Sequence, residues 1–386
     1  MTVRRFANKL VLLFLLQLTF FCTNSLAIEN NNVIPEPFRG DTPDAIQTID
    51  YEGLNQIYSD LVLDMGPSSR GKYKKEYYSA GTKFRNSIKV HTSGEGNRFL
   101  FESFDTPKKK ALLTNLKKQL TTLPTQIPLN QFSKDEQLAY WLNVYNIALL
   151  NEVVAVYPKR NLKDWLTGEK SILHKKILTV SNINLSLYDI QYKILKHKYK
   201  SNPLIIYGLY QGNIGSPNIR KEAYTGKNVY KNLESNAREF VNSNRGVFKP
   251  NFPHNDKLQV SSFYEQNKEY LELSNSQFIS HISQYANSYT RDLIHNTKGF
   301  RTSISNWQIA DLYGTTRTYG GGSKVDIWQV SNNEATLKRS IGKISQAQLS
   351  RIAKLLKIRA VNFGGGSVTV TDLPDQIEEV DDKTEN

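Results

Sequence analysis

The stretch "SKDEQLAYWLNVYNIALLNEVVAVYP" (residues 133–158) decides how the rest of the chain is read. Ser133 with Glu136 three residues on reads as a helix-capping box, and Pro158 marks where the helix has to stop. On a helical wheel Leu138, Trp141, Tyr145 and Leu149 share one side, Leu142 falls on another, and Ala139, Asn143, Asn146 and Leu150 share a third. A helix apolar nearly all round is a buried helix. Asn143 and Asn146 are then buried amides that must find hydrogen-bond partners.

Working outward, "DYEGLNQIYSDLVLD" (50–64) reads as a helix with Asp50 as its cap and Leu54, Ile57, Tyr58, Leu61 and Val62 on one face. "TPKKKALLTNLKKQLTTL" (106–123) repeats the pattern with Leu112, Leu113, Leu116 and Leu120 inward and its lysines outward. "HKKILTVSNINLSLYDIQYKILKHK" (174–198) predicts a hairpin turning at Ser181-Asn182, then a helix capped by Ser186 with Asp189. The run Leu204–Tyr207 in "NPLIIYGLYQGN" (202–213), apolar without alternation, predicts a buried strand. "VYKNLESNAREFVNS" (229–243) is a further amphipathic helix. Past residue 300 two "GGGS" runs, 320–323 and 364–367, bracket a strand, "KVDIWQV", and a capped helix, "SQAQLSRIAKLLKI". The glycine runs lack the spacing of a phosphate-cradling loop and read as flexible turns.

The expected fold class is therefore α+β: one mainly helical large domain with a few strands, a small C-terminal α/β extension, and disordered ends. The boundaries are 1–27 signal peptide, 28–45 linker, 46–300 main domain, 301–371 extension and 372–386 acidic disordered tail. The signal reading rests on Arg4, Arg5 and Lys9 before an apolar run from Leu10 to Phe21, with small Ser25 and Ala27 at the cleavage site. That run is too short to span a bilayer comfortably. Cys22 is the chain's single cysteine, so a cleaved chain has no disulfide, thiolate metal site or cysteine nucleophile. Residues 1–27 carry three positive charges, and the last fifteen residues hold seven acids against one Lys. Setting both aside turns the formal +14 of the whole chain into a body near +17. Charge of this kind governs encounter with anionic surfaces and solubility. Export argues against nucleic acid as the partner.

The segment "YGLYQGNIGSPNIRKEAY" (207–224) concentrates glycines, amides and tyrosines where the predicted strand would end. Ser216 in "NIGSPNI" is the nearest approach to a nucleophile elbow, but Pro217 removes a backbone N–H that an oxyanion hole would use. The bland reading is a Ser-Pro turn. Among His91, His174, His197, His254, His281 and His295 no pair has helical i, i+4 spacing, and no H-E-x-x-H occurs. No metal or cofactor is implied. No pair stands out among Glu76, Glu102, Asp135, Glu136 and Asp189 for glycoside chemistry. The runs "GKYKKEYY" (71–78) and "KHKYK" (196–200) suit stacking and charge on a glycan, or an ordinary solvated face.

Three blocks in order, "LAYWLNVYNIALLNEVVAVYP", "LSLYDIQYKIL" and "NPLIIYGLYQGNIGSPNIRKEAY", resemble the domain of unknown function 547 family over roughly residues 50–300. Trp141, Asn143, Tyr145 and Asn146 fall on its W-x-N-x-Y-N pattern. The resemblance implies a mixed helix-and-strand domain and no established activity. Against the family's commoner third block, Leu204 stands for an Arg, Ile206 for a His, Gln211 for one Cys and Ser216 for another; Gln191 stands for a Glu in the second block. Each reactive or charged residue of that pattern is neutral here. If Gln191 and Leu204 touch, the exchange avoids one buried charge without its partner. The amides of Gln211 and Asn213 suit a neutral polar ligand.

The leading reading is an exported, non-catalytic or catalytically altered binding domain of the cell envelope, periplasmic or secreted. Its site is expected at Trp141, Asn143, Asn146, Tyr207, Gln211, Asn213 and Tyr224, with a glycan, wall polymer or peptide as ligand. One competing class is a hydrolase or acyl transferase using Ser216. The other is a structural scaffold meeting an anionic surface.

Overall fold

The computed structural model describes residues 33–68, 70, 92, 95–250 and 257–312, with 318–319, 323–324, 350–352 and 354–355. The expected signal, the run "GKYKKEYY", the strand beyond Lys324, the second glycine run and the acidic tail lie outside the described residues.

The fold is mainly helical α+β. Its longer helices are α1 (Glu52–Leu61), α2 (Pro107–Gln126), α3 (Lys134–Val156), α4 (Val229–Val241), α5 (Asn275–Tyr285) and α6 (Ser288–His295). The strands are short. β1 (Val62–Leu63) pairs antiparallel with β2 (Arg98–Phe99), and β3 (Leu178–Val180) with β4 (Ile183–Leu185). β6 (Leu258–Ser261) is the middle of a three-stranded sheet, antiparallel to β5 (Val247–Phe248) and parallel to β7 (Phe300–Ile304). The parallel pair needs a crossover, and α5 and α6 lie within the chain that makes it. Among the described residues no helix is long and apolar enough to cross a membrane.

α3 is the core. Every residue from Glu136 to Leu150 is buried, as an all-round apolar helix requires. α2 lies along it, with Leu113 and Leu120 inward and the Tyr140 hydroxyl donating to the Leu120 carbonyl (3.0 Å). Leu112, expected inward, is about half exposed. The capping box is half made. Ser133 accepts from the Glu136 N–H (3.2 Å), but the Glu136 carboxylate turns away from its own helix. It accepts the N–H groups of Ile49 (3.1 Å) and Gly226 (2.8 Å). A buried carboxylate gains more from two backbone donors than from one. Gly226 is required there: a Cβ would sit 2.6 Å from Glu136 Oε2.

The hairpin turns where the sequence predicts. Ser181 and Asn182 both have positive φ (46° and 63°), the pattern of a type I′ turn. Ser186 and Asp189 cap each other's backbone N–H. Burial opposes ionisation of Asp189, but Lys176, Lys193 and Ser186 hold its carboxyl well below the usual carboxylate range. The following helix is a π-helix over Asp189–Leu195, a rare geometry.

Three expectations change. Residues 203–208 form a buried 3-10 helix, not a strand. Asn202 caps the Leu204 N–H (3.0 Å) and Pro203 takes the first helical position, an N-terminal signature that outweighs the β-branched run. The linker is docked rather than loose. Phe38 is fully buried with its ring 4.9 Å edge-on to Trp141. Lys198 donates to the carbonyls of Phe38 (2.9 Å) and Gly40 (2.7 Å) and to the Gln137 amide oxygen, while burial lowers its pKa to about 8. Finally, the boundary at 300/301 cuts through β7. The first compact unit runs to Ile344, and Ser345–Asn386 forms a second, in which 350–352 and 354–355 are helical.

Candidate functional site

Seven residues were expected to form one site, and the structure divides them into two groups. Both polar atoms of Asn143 and of Asn146 are engaged with backbone. Asn143 Nδ2 donates to the Tyr224 carbonyl (2.7 Å), and the Tyr224 N–H donates to Asn143 Oδ1 (3.0 Å). Asn146 Nδ2 donates to the Gly208 carbonyl (3.0 Å) and accepts the Tyr210 N–H (3.0 Å) at Oδ1. Each amide brackets one piece of irregular backbone, which is how a buried loop meets its hydrogen-bonding obligations. Trp141 is fully buried between Phe38 and Tyr140. The Tyr224 hydroxyl is buried and meets Asn236 Nδ2 (3.3 Å).

Tyr207 is fully buried as well. Its hydroxyl bridges the Tyr264 hydroxyl (3.3 Å) and His281 Nε2 (3.1 Å). Burial lowers the His281 pKa to about 4, so the ring is neutral at physiological pH. These five residues hold the fold and position the loop beside them.

Gln211 and Asn213 form the second group. They line a narrow cleft of about 10 Å³, room for about one water molecule, with Gly215, Ser262, Phe263, Gln266, Asn306 and Trp307. The loop is pinned by the Ile214 and Gly215 N–H groups donating to the Gln308 and Asn306 carbonyls (2.8 Å each). A Cβ on Gly215 would lie 2.8 Å from the Asn306 carbonyl oxygen, so only glycine allows that approach. Asn213 is 3 % exposed, and its Nδ2 has no hydrogen-bond partner. Among the described residues no hydrogen bond claims the Gln211 amide either. Asn306 is fully engaged, donating to Thr92 Oγ1 and accepting the Gln308 N–H.

Ser216 does not reach the cleft. It is 1 % exposed, and its hydroxyl donates to the Asn213 carbonyl (2.9 Å). That geometry closes a turn, and among the described residues no base meets the oxygen.

Beneath the loop lies an ionic layer that the sequence alone did not single out. The Arg245 guanidinium, 1 % exposed, donates to the Ser216 carbonyl, to Asn218 Oδ1 (2.8 Å) and to the Glu239 carboxylate. Glu95 accepts the N–H groups of Asn244 and Arg245 (3.0 Å each) and the Ser68 hydroxyl. Burial pushes its carboxyl upward against those donors. Gln191 donates to Asn267 Oδ1 (2.6 Å), so its partner lies on the 266–271 segment. In "KHKYK", Tyr199 is buried with its hydroxyl on the Lys134 carbonyl (2.8 Å), and Lys196 pairs with Glu272 (2.8 Å). That run is structural, not a stacking surface. Among the described residues no group of three or more His, Cys, Asp or Glu comes together to hold a metal.

Residues 129–241 match the model of the family described as "Protein of unknown function, DUF547". That segment is a DUF547 domain. It contains α3 with both asparagine brackets, the hairpin, the 3-10 helix and the whole of 207–224. The other wall of the cleft, from Ser262 to Trp307, lies C-terminal to the DUF547 match. No curated protein and no solved structure matches the chain.

Proposed function

We propose that this chain is a non-catalytic binding domain, exported to the cell envelope, that holds a neutral polar ligand in the cleft at Gln211 and Asn213. The observation that carries this reading is the Asn213 Nδ2 group: a donor that is buried, lacks a partner, and lines a cleft walled by other amides. An unsatisfied buried donor costs about 1–3 kcal/mol, and a native protein that keeps one has a reason to. Among the described residues no charged side chain lines the cleft, which favours a neutral ligand, because an ionised group without a counter-charge would lose its hydration there. Export is supported by the tripartite segment at residues 1–27.

The binding reading is tested by thermal shift against neutral oligosaccharides and blocked peptides, with a Gln211→Ala/Asn213→Ala double variant beside the native chain. A ligand should raise the melting temperature of the native chain and leave the variant unmoved. A full shift in the variant would place the site elsewhere. Export is tested by N-terminal sequencing of chain expressed with its first 27 residues in a secreting host. Ile28 should be the first residue, and an intact Met1 in the exported fraction would contradict cleavage.

A further inference from the structure

We infer that the groove between α1 and residues 221–228 is a second binding site, and that it takes a single neutral sugar ring. It is separate from the narrow cleft at Gln211 and Asn213 and does not depend on that cleft holding a ligand. Its volume is about 250 Å³, against about 10 Å³ for the cleft. That falls just short of the roughly 300–1,000 Å³ that encloses a drug-sized molecule. One small ring fits such a groove.

The sequence builds the groove from two walls. Glu52, Asn55, Gln56 and Ser59 stand at i, i+3, i+4 and i+7 of α1, so they share one face of the helix. Leu54, Tyr58 and Leu61 hold the buried face, which leaves this polar stripe to the groove. The other wall ends the 207–224 segment and runs into α4. Asn55 Oδ1 accepts the Ala223 N–H (2.8 Å), and Asn228 Oδ1 accepts the Thr225 N–H (2.8 Å). Each amide is therefore fixed through its oxygen, and its Nδ2 is left over. Among the described residues no hydrogen bond uses either Nδ2. Donors already oriented by the fold lose little freedom when a ligand meets them.

Acceptors stand among these donors. The exposed Gln56 amide offers both, and among the described residues nothing pairs with it or with the Glu52 carboxylate. Glu222 Oε1 accepts from Arg220 (3.3 Å) and Asn232 (3.1 Å). A hydroxyl accepts and donates at once, so a ring with hydroxyls on adjacent carbons matches amide donors interspersed with carboxylate acceptors. The lining disfavours other ligands. Two carboxylates repel a phosphate or a carboxylate ligand. No aromatic ring among the described residues lines the groove, so a nucleobase has nothing to stack on. Lys221, with Arg220 on Glu222, sets two positive charges against the two carboxylates. The balance favours a neutral ligand.

The test is an NMR titration of the ¹⁵N-labelled chain, read at its side-chain amide signals. The probes are glucose, mannose, galactose and maltotetraose, with glycine and inorganic phosphate as the zwitterionic and anionic comparisons. At least one hexose should move the Asn55 and Asn228 signals with a Kd below about 10 mM. Asn55→Asp and Asn228→Asp keep the oxygen on the backbone N–H and exchange the donor for an acceptor. Each should bind that hexose at least about tenfold more weakly, the loss of one hydrogen bond, with an unchanged melting temperature. Gln56→Ala, at an exposed side chain, should also weaken binding and serves where an Asp form folds poorly. The Gln211→Ala/Asn213→Ala variant should bind the hexose as the native chain does.

Binding of maltotetraose marks a glycan unit as the source of the ring, and its failure beside a bound hexose marks the free sugar; either supports the site. If no hexose moves these signals, or if glycine or phosphate moves them at lower concentration, the sugar inference is wrong. Binding lost in the Gln211/Asn213 variant but kept in both Asp variants would move the sugar to the cleft and overturn the groove. A failed groove leaves the cleft reading standing, because the two rest on different variants.

Discussion

Asn143 and Asn213 are both asparagines, both buried, and both belong to the DUF547 domain. Asn143 uses its donor and its acceptor on one backbone unit, Tyr224. Asn213 holds a side-chain amide nitrogen that nothing among the described residues accepts from. A buried polar side chain is thus no signal of function by itself. What separates these two asparagines is whether the side-chain amide nitrogen has a partner. The asparagines of α3 spend theirs fixing residues 207–224, and the loop they fix keeps two amides in hand.

That contrast breaks first at its structural end. Replacing Asn143 or Asn146 with Ala leaves a buried carbonyl and a buried N–H without partners, each worth about 1–3 kcal/mol. Either variant should lose about 4 kcal/mol in urea denaturation, much of a typical domain's stability. A loss under about 1 kcal/mol would mean the loop holds itself.

The next effect concerns the neutral His281 beneath Tyr207. Its folded pKa of about 4 lies below the ordinary value of 6.5, so the unfolded chain takes up a proton first as pH falls. Its contribution is complete above about 6.5 and is lost as pH falls through about 4, on the order of 3 kcal/mol over that window. His281→Phe should flatten the stability profile between those pH values. An unchanged slope would show that the ring is not held neutral.

A smaller loss, about 2 kcal/mol, is expected for Gly226→Ala, whose Cβ would press on the Glu136 carboxylate. Paired with Glu136→Gln it should cost less than the two single losses combined, because both act on one contact. Strict additivity in a double-mutant cycle would contradict that coupling.

The sequence made α3 legible because an all-round apolar run bounded by Ser133 and Pro158 has few other solutions. It made the hairpin legible because Ser181-Asn182 tolerates positive φ. Residues 203–208 were misread because a short β-branched run fits a buried strand or a buried helix turn equally. The deciding detail was the Asn202-Pro203 start. For the cleft, Gln211 and Asn213 stood out by composition, yet so did Trp141, Tyr207 and Tyr224, and only their place in three dimensions, at the cleft or inside the core, separates them. Ser262, Phe263, Gln266 and Trp307 carried no signal at all. Ser262, Phe263 and Gln266 reach the cleft from the start of the β6–β7 crossover and Trp307 from just after β7, and tertiary proximity of that kind leaves no local trace in sequence.

The division of labour itself is tested most directly by urea denaturation of Asn143→Ala and Asn213→Ala side by side. Removing Asn213 takes away an unsatisfied buried donor and leaves the backbone bonds of its loop in place. Asn213→Ala should therefore stay within about 0.5 kcal/mol of the native chain or exceed it, while Asn143→Ala falls by about 4 kcal/mol. Equal losses in the two, or a larger loss at Asn213, would contradict the claim that one amide holds the fold and the other is kept for a ligand.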